Sequence, residues 1–130
     1  MTAVALRVSD IVTVYGYFRT KGFTDISVAG LESSARHVAA TMPFLEGLKR
    51  GIIDLSRLDL NEDDYVEEFY LPGFLGMGGF ETCFKLCGGI GIVAFNGKDT
   101  VTAETLRALC ESEGRADSLS LHPGMPESFV

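Results

Sequence analysis

Nowhere does this chain of 130 residues hold the roughly 18 uninterrupted apolar residues that a membrane-crossing helix needs, so no span is expected. Its opening stretch, Met1 to Asp10, is too short and too soon charged to act as a signal peptide. Cysteine is scarce as well: Cys83, Cys87 and Cys110 make an odd count of 3, far below the density of a disulfide framework and better suited to a reducing compartment. These absences together give a cytoplasmic protein as the expectation. Basic residues are also in deficit, 11 Lys and Arg against 18 Asp and Glu, which leaves a net charge of −7. Duplex nucleic acid is thereby disfavoured as a partner, and a basic peptide or helix is favoured. What the chain does have is a hydrophobic content of 46%, enough for one modest core or two small lobes.

Helix signals dominate and strand signals are very short. Ser9 can cap a first helix whose apolar positions Ile11, Val14, Tyr15 and Phe18 share one face, and Asp10 stands where the helix dipole favours an acid. Turn-forming residues run from Arg19 to Asp25, after which Ser27 can cap a second helix that buries Leu31, Ala35 and Val38. A third helix is expected from Met42-Pro43 through Phe44, Leu45, Leu48 and Ile52, since proline is accommodated in a first turn. Asn61 caps a fourth, with Glu62, Asp63 and Asp64 in its first turn and Tyr65, Val66, Phe69 and Tyr70 on its apolar face. The stretch from Pro72 to Gly79 has the composition of a linker. Beyond it, Phe80, Cys83, Phe84 and Cys87 lie on one helical stripe, whereas periodicity leaves Gly88 to Val93 open between helix, turn and strand. Thr102 can cap a last helix through Leu106, Leu109 and Cys110 that ends at Gly114. Short extended pieces at 100–102 and 118–121 are expected to pair with each other.

The repeated order of an aromatic-ending helix, a polar loop with one aliphatic residue and a second capped helix resembles the calmodulin and myosin light chain branch of the EF-hand superfamily. Ile11, Tyr15 and Phe18 match the family's aromatic ladder, the loop runs from Arg19 to Gly30, Ile26 occupies its hydrophobic position and Leu31 follows; Leu60, Asn61 and Tyr65 continue the pattern in a second unit and Val101 to Arg107 in a third. The resemblance implies a mainly α fold of helix-loop-helix pairs in two lobes, with residues 1–71 as the first, 72–79 as a glycine-rich linker and 80–130 as a truncated second. It does not imply calcium. A calcium loop needs oxygen ligands at its first, third and fifth positions, a glycine at the sixth and a bidentate glutamate at the twelfth. The first loop supplies Arg19, Lys21, Phe23, Thr24 and Gly30 there, and two cations repel a third. The later loops are no better furnished, so no metal and no cofactor are expected.

An empty hand of this kind implies a calcium-independent, light-chain-like subunit that clamps an amphipathic, basic helix of a larger motor or cytoskeletal protein. The groove residues it implies are Phe18, Met42, Phe69, Phe74, Leu75, Met77 and Phe84, since methionine and exposed aromatics adapt to a partner surface. The acidic cluster Asp59, Glu62, Asp63, Asp64, Glu67 and Glu68 either meets such a basic helix or is a solvated helix face. No catalytic residue is expected. Cys83 and Cys87 with His37 or His122 form a weak metal or nucleophile signal, because a lone four-residue spacing lacks the second pair of a zinc site. Two alternatives stand beside the clamp: a residual calcium-responsive regulator, and an unrelated small α+β domain with a thiol-based activity. A sheet of more than two strands would remove the EF-hand architecture.

Overall fold

The computed structural model describes residues 3–58, 78–97 and 101–125. Within them the order is α1 (Ala3–Thr20), β1 (Ser27–Gly30), α2 (Ser34–Thr41), β2 (Arg50–Asp54), α3 (Gly79–Lys85), β3 (Gly91–Phe95), α4 (Val101–Ser112) and β4 (Leu119–His122). The strands form one four-stranded sheet in the order β1-β2-β3-β4, and every pairing is parallel. This is an α/β fold. It overturns the mainly α, EF-hand-like expectation, in which no sheet exceeds two strands. Because β2 pairs with β3, residues on both sides of 72–79 belong to the same sheet. The helix expected at Asn61, the acidic cluster and most of the linker stretch lie outside the described residues.

The physical reason for the correction is visible strand by strand. Ile52-Ile53 and Ile92-Val93-Ala94-Phe95 are buried on both faces, and a strand covered on both sides shows no alternation. Such short continuous runs carry no periodicity that separates strand from buried helix. Ile52 and Ile53 thus fall in β2 rather than in a helix from Met42, where only a 3-10 turn, Met42–Phe44, forms. The outer strands do alternate: Ser27 and Ala29 of β1 are exposed while Gly30 is buried, as befits a sheet edge. Ser27 opens β1 and caps no helix. Likewise the segment 119–122 pairs with β3, not with 100–102.

Sequential parallel strands joined by right-handed crossovers put their connecting helices on one face. On that face Ile53, Ile92 and Ala94 meet Ala35, Val38 and Ala39 of α2, Met42 of the 3-10 turn that follows it, Phe84 of α3 and Ala103, Leu106 and Cys110 of α4 in one buried cluster. On the other face Ile52, Val93 and Phe95 form a separate buried cluster. Two glycines set the approach of α2: a Cβ on Gly30 would lie 2.6 Å from the Ala35 Cα, and one on Gly51 would lie 2.4 Å from the Met42 Cε. α2 is buried along its whole length after Ser34, and α1 packs on its outer side. The N-terminal half of α1 seals that contact through Val4 and Val8 against Ala40, Cys83 and Phe80.

No described helix is long and apolar enough to cross a membrane. Gly30→Ala meets main chain rather than a flexible side chain, so it is expected to destabilise the fold by about 1–3 kcal/mol, measured as a lower midpoint in urea unfolding at unchanged slope.

Candidate functional site

α1 runs past the body of the domain. Its residues Ile11, Val14, Tyr15 and Phe18 follow helical spacing and so share one face; with Asp10 and residues Ile26 to Ala29 of the edge strand they bound an open groove of about 440 Å³. Tyr15 anchors the helix: its ring is buried and its hydroxyl donates to the Glu46 carbonyl at 2.7 Å. Val14, 55% exposed, and Phe18, 42% exposed, leave much of their surface to solvent. Asp10 is the one charged residue among the described residues that line the groove.

The end of α1 is built to hold Phe18 in place. Phe23 N–H donates to the Phe18 carbonyl at 3.2 Å and Gly22 N–H to the Arg19 carbonyl at 3.0 Å, the paired bonds of a Schellman ending. Gly22 sits at φ +96°, in the left-handed region that this position needs. The apolar contact that accompanies the motif is Phe18 against Phe23, edge to face with centroids 5.7 Å apart, and Tyr17 packs on Phe18 in the same manner at 5.6 Å. Lys21 lies over the Tyr17 ring at 5.5 Å, a modest cation-π contact at an exposed site.

A second set of polar groups stands at the carboxyl end of the strands, where open parallel sheets usually bind ligands. The buried Asp54 carboxylate accepts from Ser56 Oγ at 2.6 Å, Ser56 N–H at 3.0 Å, Glu32 N–H at 2.9 Å and Asn96 Nδ2 at 3.4 Å. Burial pushes its pKa up, but the bonds from Ser56, Glu32 and Asn96 outweigh that and hold it below its ordinary value near 3.8. With both oxygens engaged, Asp54 ties together the segments after β1, β2 and β3. That is a structural duty and leaves little acceptor capacity for a ligand.

The thiols and histidines offer no assembled chemistry. Burial raises the Cys83 thiol to about 11 and the Cys87 thiol to about 12, with the neighbouring Cys83 adding to the latter. Cys110 is raised by burial too, against the pull of Arg115. Nucleophilic thiols require the opposite shift, so these cysteines act as core residues. Cys87, just past the end of α3, donates to the Cys83 carbonyl at 3.0 Å, a bond back onto that helix. His37 is buried beneath α1, and burial, then the charge of Arg7, hold its pKa below the ordinary 6.5 despite a hydrogen bond with the Ser33 backbone. Ser120 Oγ and His122 Nε2 lie 2.7 Å apart on the other edge strand, without a third group among the described residues to orient the ring. No cluster of metal-ligating side chains occurs among the described residues.

Of the seven groove residues expected from the sequence, Phe18 lies in the groove just described. Met42 and Phe84 are interior, Met42 fully enclosed beneath Gly51; Phe69, Phe74, Leu75 and Met77 fall outside the described residues. The EF-hand pattern gave the face of Ile11, Tyr15 and Phe18 a lobe to pack into, which hid its real neighbour, β1. A usable signal was present: α1 carries Val4, Leu6, Val8, Val12 and Tyr17 besides that face, more apolar positions than a helix with one buried stripe requires. Comparison with family models, curated proteins and solved structures finds no match to this chain.

Two outcomes follow from this geometry. Gly22→Val forces a branched residue into the left-handed region and is expected to cost about 1–2 kcal/mol, with faster amide exchange at Phe23. Asp54 and His37 both have depressed pKa values in the fold, so the unfolded chain binds more protons and acidification destabilises. The His37 contribution is intact above pH 6.5 and declines as pH falls from there through its folded value. The Asp54 contribution is intact above 3.8 and is lost below it. Urea unfolding across pH is expected to show both declines; His37→Phe should flatten the first, and Asp54→Asn should remove the second while lowering stability at neutral pH by about 1–3 kcal/mol.

Proposed function

We propose that this protein is a non-catalytic binding domain that holds an apolar, basic segment of a larger protein in the groove between α1 and β1, independently of calcium. The observation that carries the reading is the groove itself: the exposed side chains of Val14 and Phe18, fixed on a helix anchored by Tyr15, stand over an edge strand beside a single carboxylate. Binding energy concentrates on a few rigid apolar and aromatic anchors surrounded by polar rim. Preordered anchors lower the entropic cost of association. The excess of acidic over basic residues, net −7, favours encounter with a basic segment. The earlier picture of two lobes closing around a helix depended on the overturned fold and is not part of this reading; one surface of one domain takes its place.

The test is site-directed photo-crosslinking in the native cell. A photoreactive residue at Val14 is expected to capture one larger protein, and the same residue at Leu86, 61% exposed on the distant end of α3, is expected to capture none in common with it. Val14→Lys should weaken recovery of that protein at least about tenfold, the loss of roughly 1.4 kcal/mol or more that marks an interface hot spot, with recovery equal in calcium and in chelator. Capture that is identical at Val14 and Leu86, or recovery unaffected by Val14→Lys, would refute the assignment.

A further inference from the structure

Among the described residues, the edge of the sheet under the groove is open. β1 has a neighbour only in β2 among the described residues. The Ile26 carbonyl accepts from Lys49 N–H at 3.0 Å, so Ile26 and, by strand alternation, Val28 and Gly30 direct their backbone groups toward β2. Ser27 and Ala29 therefore direct theirs outward, and both residues are exposed. Natural sheets blunt such an edge with charge, proline or a bulge. β1 reads Ser-Val-Ala-Gly and pairs with β2 in unbroken register, so it has none of these.

The geometry points to strand addition: an extended segment of the partner, apolar at alternate positions and carrying a basic residue, pairs with the outer edge of β1 and extends the sheet beneath α1. This rests on the binding role proposed above and names the form of its ligand. A strand set beside β1 takes main-chain hydrogen bonds from Ser27 and Ala29, and every second side chain enters the groove against Ile11, Val14 and Phe18. The small side chains of Ser27 and Ala29 leave the approach clear. Asp10 supplies the charge that selects a basic residue. A second copy of this chain fits less well, because its own edge strand, Ser-Val-Ala-Gly, brings no base to Asp10, and each copy carries −7.

The experiment selects from a phage-displayed library of random peptides of about ten residues, the upper range of ordinary strand length, on the full chain, with counter-selection on Val14→Lys. Enriched peptides are then made with alternate amides N-methylated and measured by fluorescence anisotropy on the natural chain and on Ala29→Pro. That variant removes an outward N–H without touching the ladder to β2, which is where a sheet edge tolerates proline. The expected result is enrichment of alternating apolar sequences with Lys or Arg, bound at least about tenfold more weakly when one alternate set of amides is methylated, unchanged when the other set is, and at least about tenfold more weakly by Ala29→Pro. If Ala29→Pro fails to fold, the two methylated sets decide alone. Apolar residues enriched at helical spacing, with binding indifferent to methylation, would overturn strand addition and leave the groove reading standing. No enrichment over Val14→Lys would remove both. A concentration-dependent dimer of the free protein, abolished by Ala29→Pro, would show a second copy as the occupant and overturn the partner-segment inference.

Discussion

α2 has no face toward solvent. One side lies against β1 and β2, against β1 so closely that Gly30 has no room for a Cβ, and the outer side is equally buried. A helix buried on every side, Arg36, His37 and Thr41 included, needs cover on its outer side as well as on the sheet side, so the fold requires a further layer over α2. α1 provides it, and the two helices differ in length: 18 residues against 8. At 1.5 Å per residue that is about 27 Å over about 12 Å. The cover necessarily extends beyond what it covers. Its first half closes the contact with α2 and α3, and its second half stands over the edge of the sheet with Val14 and Phe18 only partly sheltered. The groove is thus a direct consequence of burying α2.

How much of this was legible in the sequence depends on the element. The first helix shows its end, because the Phe18 to Phe23 stretch with Gly22 is a helix ending in any fold, but not its start: Ser9, expected to cap it, lies inside a helix that begins at Ala3. The stripe of Phe80, Cys83 and Phe84 and the helix through Leu106, Leu109 and Cys110 are equally local and are found in α3 and α4, with Cys87 just past the end of α3. What failed was everything that needed a partner strand. The β2 and β3 runs are buried on both faces by contacts distant in sequence, so their hydrophobic pattern lacks any period and is as compatible with the helices of an EF-hand as with strands. The two alternating strands at the edges were too short to correct it. The candidate site shares this division: the helix side was visible in Ile11, Val14, Tyr15 and Phe18, and the strand side was invisible once Ser27 was read as a helix cap.

Asp54 illustrates a residue whose meaning only the assembled sheet supplies. Its local signal is an aspartate closing an apolar run with serine two residues later, an ordinary turn former. In the fold that turn also receives the Glu32 amide and the Asn96 side chain. Glu32 and Asn96 are the two described non-glycine residues at positive φ, +51° and +61°. Such backbone persists where surrounding bonds over-determine it, and one carboxylate supplies a bond to each of the residues concerned. Loops at the end of a parallel sheet that might otherwise be free to grip a ligand are instead committed to each other.

That commitment bears on where a partner can act. Open parallel sheets bind ligands at the carboxyl ends of their strands, in the crevice that opens where the strand order reverses direction. The order here is sequential from β1 to β4, so among the described strands no reversal occurs, and the described helices α2, α3 and α4 share one buried cluster on one face of the sheet. The carboxyl end is bound together by Asp54, and the buried thiols are held in their neutral form by burial. Among the described residues, the Asp54 carboxylate at the strand ends and the buried thiols are thus both engaged in the packing of the domain. Apolar surface, a fixed aromatic, a carboxylate and an open strand edge coincide, among the described residues, at the β1 edge beneath α1, and they do so because a short buried helix is covered by a long one.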